Sequence, residues 1–296
     1  MSDGPPAGRP PFDPGYHPSP RPTFEAPTAI PHAAAARHVW GDAQSGQVLD
    51  WIYVSSNRIH QLLFEIPVAG AFTHSDQHRT VFGADEVLYI VDGDVAFADP
   101  ESGQVLRARS GDAVCFGPDT WHHCFNWGTG AARVLELFAP PPSTGTSSAH
   151  ARTRPLLERS SYGDDAILGS GCLPGSRLEP GAGRRLALVR PDDLVWRLEG
   201  DHVLTGLIAS TPHLTAACCD VRSGGWSGWR THAGDAAGFV LEGTLVLRVS
   251  GGSGRAWHEL TPGDGFYVPL GGGYQVRAGG GNARFLLGAA PSYGGG

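Results

Sequence analysis

The sequence has little of what long helices, membrane spans and polyanion-binding surfaces require. Lysine is absent, methionine occurs once, and 29 acidic residues outnumber the 22 basic ones, for a formal net charge of −7. No basic patch is therefore expected to release counterions from nucleic acid. No stretch approaches the ~20 apolar residues that span a bilayer, and the N-terminus lacks a charged segment followed by an apolar run. We expect a cytoplasmic protein that binds neither nucleic acid nor membrane.

Cysteine is also sparse, and the five cysteines do not form paired C-x-x-C units. We expect buried core thiols rather than disulfides or a zinc site, because the number is odd and the surroundings are mostly apolar.

By contrast, the chain has 43 glycines and 24 prolines. This composition favours many short strands joined by turns over long helices, and it predicts an all-β protein.

A chain of 296 residues is long enough for two domains. Residues 1–36 are crowded with proline and lack apolar periodicity, so we expect a disordered arm, or alternatively an extended strap on the protein or on a partner subunit. Residues 143–190 are rich in Pro, Ser, Thr and Gly and are predicted to be a linker. The remaining segments, 37–142 and 191–296, are the two predicted domains.

An internal repeat relates these two segments at an offset of about 150 residues. Three matches occur in the same order, and each consists of strand-like alternation bounded by turn residues. The matched pairs are Val87–Phe97 with Ala237–Leu247, Gly111–Pro118 with Gly263–Pro269, and Arg133–Pro140 with Arg284–Pro291. Strands spaced at roughly 8 to 12 residues are typical of a sandwich or small barrel. The sequence therefore predicts two similar β-barrels in tandem.

The N-terminal segment contains residues at the spacing of both motifs of the cupin superfamily. For the first motif, Glu86 and Gly93 match, His78 lies upstream with one residue more than usual, and Thr80 takes the place of the second histidine. The second motif matches along its whole length, with two of its markers substituted. Its five markers are Gly111, Gly117, Asp119, His122 and Asn126. The chain thus resembles a bicupin, and the resemblance implies two double-stranded β-helix (jelly-roll) barrels.

The C-terminal segment is a weaker copy of these motifs. Ala236 stands where the glutamate is expected and Tyr274 where the second motif has its histidine, which leaves His232 as one imidazole. A single neutral donor does not hold a first-row divalent ion in competition with water. We expect this barrel to be metal-free and structural.

In the N-terminal barrel the candidate metal ligands are His78, Glu86 and His122. Alternation along a strand places His74 on the same face as His78, so His74 either completes the ligand set or lies beside it. The resemblance and the donor set imply one divalent ion, with iron(II) favoured and manganese, nickel or zinc as the other options. His123 is the candidate catalytic residue, although alternation places it on the opposite face from His122.

These residues predict a metal-dependent enzyme that acts on a small molecule. The leading hypothesis is a mononuclear non-haem iron oxygenase for an aromatic or polyketide-like metabolite. A non-redox cyclase or isomerase, and a ligand-binding cupin without turnover, are the alternatives. Exposed edge strands need to be covered, and a homodimer is therefore expected.

Overall fold

The computed structural model describes residues 19–76, 78, 80–140, 151–157, 159–163, 186–250 and 256–291. Within them, strands dominate, and the helical segments are three-residue 3₁₀ turns at His32–Ala34, Ser161–Gly163 and Pro191–Asp193. The all-β prediction is confirmed. Among the described residues, no helix has the length and apolar character needed to cross a membrane.

The strands of the first half belong mainly to one barrel. They are β1 (Thr28–Ile30), β2 (Ala36–Asp42), β3 (Gly46–Ser55), β4 (His60–Ile66), β5 (Ala71–Phe72), β6 (Thr80–Phe82), β7 (Asp85–Asp92), β8 (Asp94–Ala98), β9 (Val105–Arg109), β10 (Ala113–Phe116), β11 (His123–Asn126) and β12 (Ala132–Ala139).

The strands of the second half repeat this series. They are β13 (Ala151–Thr153), β14 (Leu186–Val189), β15 (Val195–Glu199), β16 (Val203–Ser210), β17 (Thr215–Val221), β18 (Asp235–Glu242), β19 (Leu245–Ser250), β20 (Trp257–Leu260), β21 (Gly265–Val268), β22 (Gly273–Ala278) and β23 (Ala283–Ala290).

The N-terminal barrel consists of a seven-stranded sheet, ordered β14-β10-β7-β12-β4-β3-β2, and a four-stranded sheet, ordered β5-β11-β8-β9. Alternate residues of each strand, such as Leu88 and Ile90 of β7 and Phe97 of β8, meet in one buried apolar core between the sheets. β13, from the predicted linker, pairs with β6 beside this barrel.

The C-terminal barrel repeats this plan. Its seven-stranded sheet is ordered β1-β21-β18-β23-β17-β16-β15, and its second sheet is ordered β20-β19-β22. A separate core, with Val240 of β18, Leu247 of β19 and Phe285 of β23, fills the space between them. The prediction of two tandem jelly-roll barrels is confirmed.

The two halves exchange strands. β1 precedes the N-terminal barrel in the sequence but pairs with β21 of the C-terminal barrel, and β14 precedes the C-terminal barrel but pairs with β10 of the N-terminal one. Each exchanged strand covers an edge that would otherwise be unpaired. The described part of the arm is therefore ordered and not disordered. Residues 1–18 lie outside the described residues. The domain boundaries at 36, 142 and 190 stay predictions.

The outer faces of the two large sheets pack against each other. Residues on alternate positions, such as Val87 and Tyr89 of β7 and Ala237 and Phe239 of β18, share one buried apolar cluster. This face is the opposite one from the barrel interior, since Leu88 belongs to the inner core. The barrels thus form one continuous structure through a buried apolar interface.

The described cysteines are free thiols, as the sequence predicted, and they are Cys115, Cys124, Cys218 and Cys219. Cys172 lies outside the described residues.

Candidate metal centre

Two neighbouring strands each direct a carboxylate into the N-terminal barrel. On β7, Glu86 is in phase with Leu88 and Ile90, which face the inner core. On β12, Glu136 lies two residues after Val134, which faces the same core. Glu136 is paired with Leu88 across the two strands, so the two glutamates are close neighbours along the sheet. Glu86 is 4% exposed and Glu136 is 8% exposed.

His122 reaches these carboxylates from the turn before β11. The turn is tight, because Thr120 Oγ1 donates a hydrogen bond to the Gly117 carbonyl and Asp119 adopts a φ of 60°. His122 Nε2 lies 3.4 Å from Glu86 Oε1. The ring of His122 packs against Phe116, with the ring centroids 4.6 Å apart. The motif histidine and glutamate predicted from the sequence therefore meet inside the barrel.

Glu86, His122 and Glu136, here called the Glu–His–Glu cluster, place one donor atom each within 4.8 Å of one another. Neither Glu86 Oε1 nor His122 Nδ1 makes a hydrogen bond, although both atoms are buried. Burial raises the pKa of Glu136 well above its usual value, and the neighbouring Glu86 raises it further. Two buried carboxylates this close repel each other unless a proton or a cation lies between them. The cluster therefore fits a divalent cation.

His78 lies near the cluster but is engaged elsewhere. Its Nδ1 is 3.1 Å from Asp42 Oδ2, and its ring stands edge-on to Trp40 at 5.0 Å between centroids. It lines the same cavity as His122 but is outside the Glu–His–Glu cluster. The side chain of Thr80, the motif position after it, lies outside the described part of the chain.

His74 and His123 contact each other. His123 Nε2 lies 3.0 Å from His74 Nδ1, and His123 Nδ1 lies 3.0 Å from the Tyr162 hydroxyl. His74 lines the cavity, and its ring packs edge-on against Trp121. Burial lowers the pKa of His123 to about 4, with a smaller contribution from His122. The structure thus places His123 behind His74, away from the cluster.

A cavity of about 120 Å³ opens beside the cluster. Nine of its 17 lining residues are polar or charged, Asp50 and Glu136 among them, and the other eight are apolar. The aromatic residues that line it are Trp40, Phe64, Phe72, Phe82 and Phe138. A cavity that combines apolar rings with convergent polar groups is a common form of a small-molecule site.

The C-terminal barrel has the same positions with other side chains. The strand register shows that Ala236 corresponds to Glu86, because Ala236 is paired with Val268 as Glu86 is paired with Phe116. Leu287 likewise corresponds to Glu136, because Leu287 is paired with Gly238 as Glu136 is paired with Leu88. Tyr274 replaces His122 and accepts or donates a 3.0 Å hydrogen bond with His232 Nε2. No group of three candidate metal ligands occurs among the described residues of this barrel.

Glu136 is the residue that motif reasoning missed, because it lies on β12, outside both cupin motifs. A signal for it exists in the sequence. Arg133–Pro140 has one acidic residue within an apolar strand, and in the matched segment Leu287 stands at that position. A carboxylate on the buried face of one copy, where the other copy has an apolar residue, is the signal in the sequence that points to this position.

Comparisons with known proteins agree with this architecture. Residues 218–287 match the family model described as Cupin domain. No curated protein matches the sequence.

The fold is similar to that of several solved structures. A protein of Pseudomonas aeruginosa named as glyoxylate-induced has a TM-score of 0.62 at 17% identity, with 94% of each chain covered. Oxalate decarboxylase of Bacillus subtilis has a TM-score of 0.59 at 16% identity, with 93% of this chain and 80% of that one covered. Procruciferin, an 11S globulin of Brassica napus, has a TM-score of 0.61 at 12% identity, with 89% of this chain and 84% of that one covered.

Proposed function

We propose that this chain, which has two jelly-roll barrels in one polypeptide and matches a cupin domain model over residues 218–287, is a metal-dependent enzyme for a small molecule. In this proposal the N-terminal barrel binds one divalent ion through Glu86, His122 and Glu136, and the C-terminal barrel is structural. The observation that carries the proposal is the Glu–His–Glu cluster, whose buried carboxylates adjoin a cavity.

The donor set limits which metals suit the site. Two carboxylates and one imidazole are a mixed oxygen and nitrogen set, which favours iron(II) or manganese(II) over metals that prefer thiolate ligands. Three protein ligands leave coordination positions open for water or substrate. A redox-active ion held there supplies oxygen activation, and a non-redox ion supplies polarisation of a carbonyl or enolate.

The chain's own residues bind and shield the substrate. The rings of Phe64, Phe72 and Phe138 line the cavity next to Glu136 and exclude water from it. These rings offer stacking faces to an aromatic or polyketide-like body. We therefore propose an iron-dependent oxygenase as the leading activity.

A non-redox cyclase or isomerase is the second candidate, and one observation favours it. Such an enzyme needs a group that transfers a proton, and Glu136 lines the cavity with a raised pKa. If Glu136 acts as this acid rather than as a ligand, its raised pKa favours the protonated carboxyl, which faces the cavity and can donate a proton there.

Elemental analysis tests the proposal. Protein purified without chelator is expected to contain one first-row metal per chain, and His122→Ala is expected to contain almost none. His232→Ala, in the C-terminal barrel, is the matched control and is expected to keep the metal. A metal-free wild type, or equal metal content in both variants, would contradict the proposal. The remaining hypothesis would then be a cupin that binds a ligand without catalysing a reaction.

Oxygen consumption separates the two candidate activities. Iron-loaded protein is expected to consume oxygen with phenolic or polyketide-like test compounds, and His122→Ala is not. Turnover of the same compounds under nitrogen, with zinc in place of iron, would instead establish the non-redox activity.

We also propose that the protein assembles as a homodimer. The edge strand β15 exposes Val195 and Leu198, which are 71% and 63% exposed. Light scattering at micromolar concentration tests this, since a monomer mass would contradict it.

A further inference from the structure

His60 lies on the interior face of the N-terminal barrel. On β4 it is in phase with Leu62 and Phe64, which belong to the inner core. All three side chains line the cavity beside the Glu–His–Glu cluster, and His60 is 5% exposed. Its ring packs against that of Phe138, with the ring centroids 5.5 Å apart. His60 is therefore part of the cavity wall and lies outside the cluster.

The imidazole of His60 has hydrogen-bonding capacity that the described part of the chain leaves unused. Its Nδ1 is buried and makes no hydrogen bond there. Burial lowers the pKa of His60 to about 3, with a smaller contribution from Arg21, so the ring is neutral near neutral pH. A buried polar atom without a partner is unfavourable, and a ligand group that pairs with it removes this cost.

The charged side chains of the cavity wall have partners of their own. The described lining includes Arg21, Asp50 and Glu136. Arg21 donates to Ser55 Oγ, Asp50 Oδ2 lies 3.0 Å from His38 Nδ1, and Glu136 belongs to the cluster. Burial raises the pKa of Asp50, and its hydrogen bond with His38 opposes that rise. A ligand without formal charge is therefore complementary to this wall, since the buried carboxylates also disfavour an anion.

The strand register gives the spacing between His60 and the metal cluster. Phe138 of β12 is paired with Glu86 on one side and with His60 on the other. Glu86 and His60 are thus two strands apart, or about 10 Å at the usual interstrand spacing. The volume of about 120 Å³ is close to that of the ~150 Å³ cavity that holds a benzene ring. One aromatic ring therefore fits beside Phe138 between the two ends.

A hydroxyl group is the ligand group that best suits this imidazole. In a neutral ring, Nδ1 either donates or accepts a hydrogen bond, depending on the tautomer. A hydroxyl group does both, whereas a ketone or ether oxygen only accepts. A hydroxyl group therefore pairs with His60 in either tautomer and adds no charge beside Asp50.

We propose that His60 is a specificity-determining residue, which hydrogen-bonds to the hydroxyl group of a neutral phenolic substrate at the end of the cavity away from Glu86, His122 and Glu136. This inference rests on the proposed function and names the substrate class.

The test compares phenol with toluene, in which a methyl group replaces the hydroxyl group, by calorimetry on metal-loaded full-length protein. Wild type is expected to bind phenol about tenfold more tightly than toluene, and His60→Leu is expected to bind both equally. His60→Asn, which keeps a donor and an acceptor close to the position of Nδ1, is expected to retain a preference for phenol. His213→Leu makes the same change at an exposed histidine outside the cavity and is the matched control, which is expected to keep the wild-type ratio.

Titrations repeated in chelator, with the metal content of each sample, separate this inference from the proposed function. If no sample contains metal but the preference still depends on His60, the role of His60 stands and the metal proposal fails. A preference that chelator abolishes and His60→Leu does not would assign the hydroxyl group to the metal and overturn the inference.

Wild type alone also tests the inference, should His60→Leu fail to fold. Equal binding of phenol and toluene to wild type overturns it. Benzoate is expected to bind wild type more weakly than phenol in chelator, and tighter binding of benzoate would contradict a neutral substrate.

Discussion

The two barrels repeat each other in backbone detail and differ in charge at matching interior positions. β7 pairs with β12 through an irregularity after Arg133, and β18 pairs with β23 through an irregularity next to Arg284, at corresponding points. Inside, Glu86 and Glu136 of one barrel correspond to Ala236 and Leu287 of the other. The backbone therefore does not require these glutamates, and the C-terminal barrel shows that an apolar core suffices to hold the fold.

The contacts between the barrels are also reciprocal. Ser56 Oγ donates to Asp235 Oδ2 at 2.6 Å, and Thr211 Oγ1 donates to Asp85 Oδ2 at 2.6 Å. Asp85 and Asp235 immediately precede Glu86 and Ala236 on equivalent strands. A hydroxyl of each barrel thus binds the aspartate at the start of the equivalent strand in the other barrel. In the N-terminal barrel the next residue of that strand is the candidate ligand Glu86, and in the C-terminal barrel it is Ala236.

The largest expected effect comes from placing one carboxylate in the core of the C-terminal barrel. Leu287→Glu places a carboxylate at a position that is 1% exposed and packed among apolar side chains of the core. We expect a loss of about 3–5 kcal/mol in the free energy of unfolding, measured in urea at neutral pH. Leu204→Glu, at a position 43% exposed, is the control and should lower the free energy of unfolding only slightly. A small loss for Leu287→Glu would mean that the barrels tolerate interior charge equally.

The reverse change removes the carboxylate of Glu136 from the N-terminal barrel. Wild type is expected to gain about 2.7 kcal/mol of stability when metal is added at a hundred times its dissociation constant. Glu136→Leu is expected to gain nothing, because one ligand is lost. Glu65→Leu, which removes a carboxylate that pairs with Arg133 near the surface, should retain the gain. Equal metal stabilisation of all three proteins would exclude Glu136 as a ligand.

The motif histidine of the C-terminal barrel, His232, is expected to affect acid stability. Burial, followed by Arg230, lowers the pKa of His232 to about 4 from the ordinary 6.5. The unfolded chain therefore takes up this proton first, and stability falls as pH drops from 6.5 towards 4. His232→Gln should flatten this slope by up to about 1.4 kcal/mol per pH unit, measured by urea unfolding in chelator. Identical slopes for the variant and wild type would show that His232 titrates normally.

The smallest expected effect distinguishes the two reciprocal hydrogen bonds. Ser56→Ala leaves Asp235 with hydrogen bonds from the Tyr267 hydroxyl and the Leu270 backbone N–H, so we expect a loss of about 1 kcal/mol. Thr211→Val removes the hydroxyl that donates to Asp85, and we expect about 2 kcal/mol. Urea unfolding of the two variants side by side measures the difference, and a greater cost for Ser56→Ala would reverse this ranking.

Much of the architecture could be predicted from the sequence, because strand alternation and turn residues repeat at a fixed offset. The strand exchange could not. β1 and β14 are three and four residues long, which is too short for their sequences to indicate a partner strand. Which edge they cover depends on how the two sheets pack, and that packing involves residues far apart in the sequence.

For the candidate site, motif spacing predicted Glu86 and His122, and the structure brings them together. The spacing does not define the rest of the cluster, because Glu136 comes from a strand outside the motifs. His78 and His74 stay predictions as ligands, since the loop that carries them places His78 Nδ1 on Asp42 and His74 Nδ1 on His123. Loop geometry of this kind does not follow from alternation.

Anomalous diffraction from crystals of metal-loaded protein tests directly whether the Glu–His–Glu cluster binds the metal. We expect one metal peak per chain, at about 2.0–2.2 Å from donor atoms of Glu86, His122 and Glu136, and no peak beside His232 and Tyr274. A peak in the C-terminal barrel, or a peak in the N-terminal barrel whose ligands exclude Glu136, would contradict it.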